Sequence, residues 1–78
     1  GSRREEVVKR IRELLKRNKE LIDRIRELLE ENEYLDKDAR DKDVLRRSVE
    51  LLEELVRILE ESVELAKEII KLLREVVE

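Results

Sequence analysis

Asn32-Glu33-Tyr34-Leu35-Asp36-Lys37-Asp38-Ala39-Arg40-Asp41-Lys42-Asp43-Val44-Leu45-Arg46-Arg47-Ser48 begins and ends on polar residues that interrupt apolar helical stripes, and their placement decides the fold. Asn18 lies fourteen residues before Asn32, and Ser62 fourteen after Ser48. The numbers of Asn32 and Ser48 total 80, as do those of Asn18 and Ser62. Folding the chain back near Asp38 to Asp41 therefore sets the four residues in two matching layers. The connection contains neither Gly nor Pro. It offers Asp41 and Asp43 as the best N-caps for a second helix and no strong C-cap for the first.

Upstream, a heptad runs unbroken, with Val7, Leu14, Leu21, Leu28 and Leu35 in one column and Ile11, Asn18, Ile25 and Asn32 in the next. Val8, Leu15, Ile22 and Leu29 add a third apolar column, which is wider than a two-stranded seam needs. On the other flank stand Arg3, Arg10, Arg17 and Arg24, each followed three residues later by Glu6, Glu13, Glu20 or Glu27. That spacing sets opposite charges side by side on a helix surface. Ser2 and Glu5 have the spacing of a capping box, although Gly1-Ser2 reads as an expression scar.

Downstream, four columns are apolar: Leu45, Leu52, Leu59, Ala66 and Leu73; Ser48, Leu55, Ser62, Ile69 and Val76; Val44, Leu51, Ile58, Leu65 and Leu72; and Val49, Val56, Val63, Ile70 and Val77. They cover about half the circumference at about 100° per residue, more than one partner helix can bury. At about 1.5 Å per residue each helix is roughly 50 Å long, so an isolated hairpin leaves a long apolar strip in water. The pattern predicts an all-α antiparallel hairpin, one domain with helix 1 over 3–35, a loop over 36–42 and helix 2 over 43–78. It further predicts oligomerisation into a coiled-coil-like bundle, helix 1 outside and helix 2 inside. The expected oligomer core is Leu45, Leu52, Leu55, Leu59, Ala66, Ile69, Leu73 and Val76.

A single uninterrupted helix is the competing reading. Its heptad would put Arg46, Glu53 and Glu60 where apolar residues belong and would skew the two apolar faces by about 100°. The hairpin keeps the faces together, pairing Ile25 with Leu55, Leu21 with Leu59 and Ile11 with Ile69. Asn18, Asn32, Ser48 and Ser62 then form a core polar network. An unpaired buried amide costs about 1–3 kcal/mol, so such layers select register and oligomer state at some cost in stability. The plainer reading, that each merely tolerates burial or faces solvent, suits a lone Ser better than four residues with one common total.

Composition removes other functions. The 78 residues include no Cys, His or Met, which excludes disulfides, thiolate or imidazole metal sites, and nucleophiles that depend on Cys or His. Charged residues make up 53% of the chain and the formal net charge is −3, with the two signs interspersed. Glutamate groups such as Glu50, Glu53 and Glu54, or Glu60, Glu61 and Glu64, read as a solvated face, because nothing desolvates them enough for acid–base work. The basic run from Lys9 to Lys19 is broken by glutamates and lacks aromatic side chains to stack on bases, so nucleic acid is not expected. No signal peptide is legible, and no apolar run approaches the roughly 20 residues of a membrane span. The amphipathic stripes suit partner helices better than a membrane surface. The sequence predicts no catalytic residue, cofactor, metal or small-molecule substrate.

The seven-residue blocks Val7–Glu13, Leu14–Glu20, Leu21–Glu27 and Leu28–Tyr34, with Tyr34 alone at a surface position, have the regularity of a computed sequence. Over nearly its full length the chain resembles de novo designed helical hairpins that assemble into two-ring bundles with modular buried hydrogen-bond networks. The resemblance implies a soluble protein with no natural compartment, made by recombinant cytoplasmic expression. It also implies homo-oligomers, often trimers of hairpins with six helices, and sometimes heterodimers of two different hairpins. Trimer is favoured over dimer as the partner state. The alternative is a binding module: half of a heteromeric pair, or a switch with a displaceable outer helix.

Overall fold

Two helices account for nearly all of the chain. A computed structural model describes residues 2–36 and 40–78, with helix α1 over Arg3–Asp36 and helix α2 over Lys42–Val77. The two pack against each other as a hairpin with Cα extents of 59 × 14 × 14 Å. The radius of gyration is 17.7 Å, whereas a compact globule of this length would give about 11.5 Å. The molecule is a two-helix rod. The expected bounds differ from the observed ones by a single residue at three of the four helix ends, and part of the expected loop lies outside the described residues.

Local chemistry sets the helix ends. The Ser2 hydroxyl accepts the Glu5 backbone N–H at 3.1 Å, and the Ser2 carbonyl accepts the Glu6 N–H at 3.1 Å, so the first turn of α1 is capped. Of the two candidate caps for α2, Asp41 holds the position. It has extended backbone at φ −88° and ψ 126°, and its carboxylate accepts the Asp43 N–H at 2.8 Å. Asp43 lies instead in the first turn, where a negative charge complements the helix dipole.

Helix α1 buries the columns that its heptad assigns: Val7, Ile11, Leu14, Leu21 and Leu28 are all withdrawn from water. Helix α2 uses only two of its four apolar columns for the seam, burying Leu51, Leu55 and Ile69. Two clusters result. Val7, Ile11, Leu14 and Ile69 pack with Leu65, Leu72 and Val76 toward the open ends, and Leu28, Leu51 and Leu55 pack with Ile25, Leu35 and Ile58 toward the turn. Leu28 and Leu51 are each 1% exposed.

The expected pairings Ile11 with Ile69 and Ile25 with Leu55 fall within these clusters. Leu59, expected opposite Leu21, is 43% exposed and belongs to neither cluster. At that level the seam on α2 passes through Ile58, one residue earlier. The cause is that the Leu14, Leu21 and Leu28 column meets the Leu51, Ile58 and Leu65 column, whose numbers total 79 with it. The Ile11 and Ile25 column meets Leu55 and Ile69 at a total of 80.

Two measurements test this seam. Leu51→Ala should destabilise the hairpin by about 2–5 kcal/mol in denaturant unfolding, as expected for truncating a fully buried leucine. The chain has no cysteine, so labels can be placed cleanly at Lys9→Cys and Lys71→Cys. Distance measurement should give one short population, whereas a continuous helix would separate the labels by about 93 Å.

Candidate functional site

The two polar layers form within the chain. Ser62 Oγ donates to Asn18 Oδ1 at 2.5 Å, and Ser48 Oγ donates to Asn32 Oδ1 in the same arrangement. All four residues are half-buried. Their fourteen-residue spacing sets the layers about 21 Å apart along the rod. Each layer uses the serine proton and one acceptor site of the carboxamide. The Asn18 and Asn32 side-chain N–H2 groups donate to no other described residue. No buried side-chain nitrogen or oxygen among the described residues lacks a partner, so these amide nitrogens reach the surface.

One flank of the hairpin is closed by charge. The guanidinium groups of Arg3, Arg10, Arg17 and Arg24 reach across the seam to Glu75, Glu68, Glu61 and Glu54 at 3.2, 3.7, 3.1 and 3.1 Å. The numbers in every pair total 78. Arg10, Arg17 and Arg24 also bridge to Glu13, Glu20 and Glu27 three residues ahead, at 3.6, 3.6 and 3.0 Å. The Arg24 guanidinium is held above its ordinary pKa, chiefly by its hydrogen bond to Glu27 and then by that to Glu54. A raised folded-state pKa on a cation contributes stability below the unfolded value and loses it only as pH rises through the folded one, so this arginine adds no pH dependence between acid and neutral. Exposed pairs of this kind contribute little to stability. Their effect is to occupy one flank of the seam.

The ladder is the part of the site that sequence reasoning missed. The i to i+3 partners Glu13, Glu20 and Glu27 were legible, but Glu54 and Glu61 read only as a solvated face, and Glu68 and Glu75 were not singled out. Extending the matching totals from the apolar columns to the charged ones would have found them. Glu54 and Glu61, grouped above with the solvated glutamates, are in fact tied to Arg24 and Arg17.

The opposite flank is apolar and open. Leu45, Leu52, Leu59 and Leu73 are 41–45% exposed, and Val49, Val56, Val63 and Ile70 are 49–54% exposed. Leu15, Ile22 and Leu29 continue the strip onto α1 at 39–51%. Of the eight residues expected to form an oligomer core, the structure thus divides the set. Leu55, Ile69 and Val76 pack into the hairpin's own clusters, Ala66 is half-buried, and four leucines face outward. Ser48 and Ser62 likewise sit on the seam with α1. The depressions along the strip are shallow troughs, such as the one lined by Val56, Leu59, Glu60, Val63 and Glu64. Among the described residues no group of three carboxylates is placed to hold a metal ion, and no helix is long and apolar enough to cross a membrane.

Replacing Asn18 and Asn32 together with Leu removes both layers while keeping the seam apolar. The variant should melt at the same temperature or higher, yet distribute over more than one assembled species by sedimentation. A single species with lowered stability would show that the layers stabilise rather than select. No protein-family model, curated protein or solved structure matches the chain, so no relative supplies a role for these residues.

Proposed function

We propose that this is a self-assembling structural protein, of de novo designed origin, whose activity is to form a homo-oligomeric helical bundle. The observation that carries the reading is the open strip on α2, two adjacent apolar columns that run the length of the rod and are left half in water by α1. The accessible surface supports it. The hairpin exposes 6420 Å², whereas a compact monomer of 9.5 kDa would expose about 5,000 Å². The excess of about 1,400 Å² falls in the range that a stable interface buries.

The distribution of apolar surface supports α2 as the inner helix, since it carries eight of the half-exposed aliphatics against three on α1. A threefold arrangement of hairpins places the four outward leucines at the axis and gives six helices. Leu there, with Ile and Val nearby, leans toward assemblies above the dimer. The polar layers serve as register marks. The reading assigns the chain no catalytic chemistry and no cofactor.

Light scattering on a sizing column, across a range of concentrations, tests this directly. A single species near three times 9.5 kDa is the expected result. A mass near twice the chain would replace the six-helix bundle with a four-helix one. A monomer at every concentration would overturn self-association and point to a different chain as the partner.

A further inference from the structure

Each helix carries one more charged column, lying just beyond the open apolar strip. On α1 it is Glu5, Arg12, Lys19, Arg26 and Glu33, and on α2 it is Arg46, Glu53, Glu60, Lys67 and Arg74. These residues are exposed, and Arg12, Lys19, Arg26, Glu53 and Glu60 make no ion pair with another described residue. The ladder on the other flank accounts for its own charges. This flank does not, and its charges have a pattern.

Inside the chain, residues whose numbers total 79 lie level with one another, as Leu28 and Leu51 do. When α1 of one copy is laid antiparallel on α2 of another at that same level, Lys19 meets Glu60 and Arg26 meets Glu53. Glu5 then meets Arg74, and Glu33 meets Arg46. Four of the five levels pair opposite charges. The fifth sets Arg12 against Lys67, which Glu64 already holds at 3.2 Å. Beneath the charges, Leu15, Ile22 and Leu29 come opposite Val63, Val56 and Val49 at totals of 78, within about 1.5 Å of level, and these are half-exposed residues of the strip.

Other arrangements lose or shorten this match. When the α1 column is laid antiparallel on its own copy, Glu5 meets Glu33, Arg12 meets Arg26 and Lys19 meets Lys19, like charges at every level. A slip of one heptad toward a total of 86 gives like charges at three of four levels. The opposite slip, toward a total of 72, keeps opposite charges at three of four levels, but it sets Arg26 against Arg46, drops a level and uncovers about 10 Å of the strip.

We propose that the open flank is a docking surface for a second copy of this chain, with α1 of one hairpin lying level and antiparallel on α2 of the next. The contact joins two different surfaces with no displacement along the rod. Repeated, it closes into a ring about an axis parallel to the helices, whereas a contact with axial rise would propagate as a filament. The inference rests on the self-association reading and adds to it the pair of faces and their register.

Charge reversal tests the register in the full chain. Lys19→Glu with Arg26→Glu places acid against acid at two levels, and Glu53→Lys with Glu60→Lys places base against base. Each double variant should raise the concentration for half-dissociation by at least about tenfold in sedimentation. The fourfold variant carrying all the substitutions restores opposite charges, and it should assemble within about threefold of the parent. Circular dichroism checks that each remains helical. A parent that stays monomeric overturns self-association itself. A parent that assembles alongside double variants that assemble equally well overturns the docking pair alone. So does a fourfold variant that fails to recover while the double variants dissociate.

Discussion

A serine hydroxyl on α2 donating to an asparagine oxygen on α1, made at two levels, holds the helices at one axial setting. Apolar contacts are tolerant of sliding, because one aliphatic side chain fills a hole much as another does. A hydrogen bond is not, since a displaced donor leaves both groups without their partner. From that setting the remaining contacts follow in order around the seam. Arginines meet glutamates at totals of 78, buried leucines meet at 79, and isoleucines, asparagines and serines meet at 80. The steady increment is what two antiparallel helices of equal rise must show when read column by column.

Much of this geometry was legible in the chain. The two helices, their antiparallel sense and the four polar residues came directly from periodicity and matching totals. The choice of columns on α2 did not. Four apolar columns cover more of a helix than α1 can bury, so periodicity alone leaves several seams available, and the pairing of Leu21 with Leu59 came from that ambiguity. Charge marks the choice: the arginine column of α1 meets the unbroken run Glu54, Glu61, Glu68 and Glu75 on one side of α2, whereas the column on the other side mixes both signs, and the ladder goes with Leu51, Ile58 and Leu65 turned inward and Leu52 and Leu59 outward. Hydrophobic pattern shows that a face exists, and the charges beside it show which way it turns. The connection around residues 37–39 lies outside the described residues, and the sequence there offers aspartates without a defining turn residue.

The two flanks divide the work of specificity. On the closed side, ion pairs occupy positions where another helix would otherwise pack, at little gain in stability. On the open side, the strip supplies apolar area that a single hairpin leaves half in water. Under the self-association proposed above, folding would be coupled to concentration, because association would remove from water what the hairpin alone cannot. The polar layers would then matter most as discriminators among assemblies whose apolar burial is nearly equal.

Nothing in the seam between α1 and α2 distinguishes a chain's own helix from that of a copy. The same hydroxyls, leucines and guanidinium groups would meet if two chains exchanged α1 and each connection opened. Intramolecular pairing is favoured by tethering alone, since a short connection presents one helix to the other at an effective concentration on the order of millimolar. The connection is therefore more than a link. Its length and stiffness set whether the same surfaces yield separate hairpins or domain-swapped pairs, and a chain altered only between Asp36 and Lys42 could change partners without changing one contact of the seam.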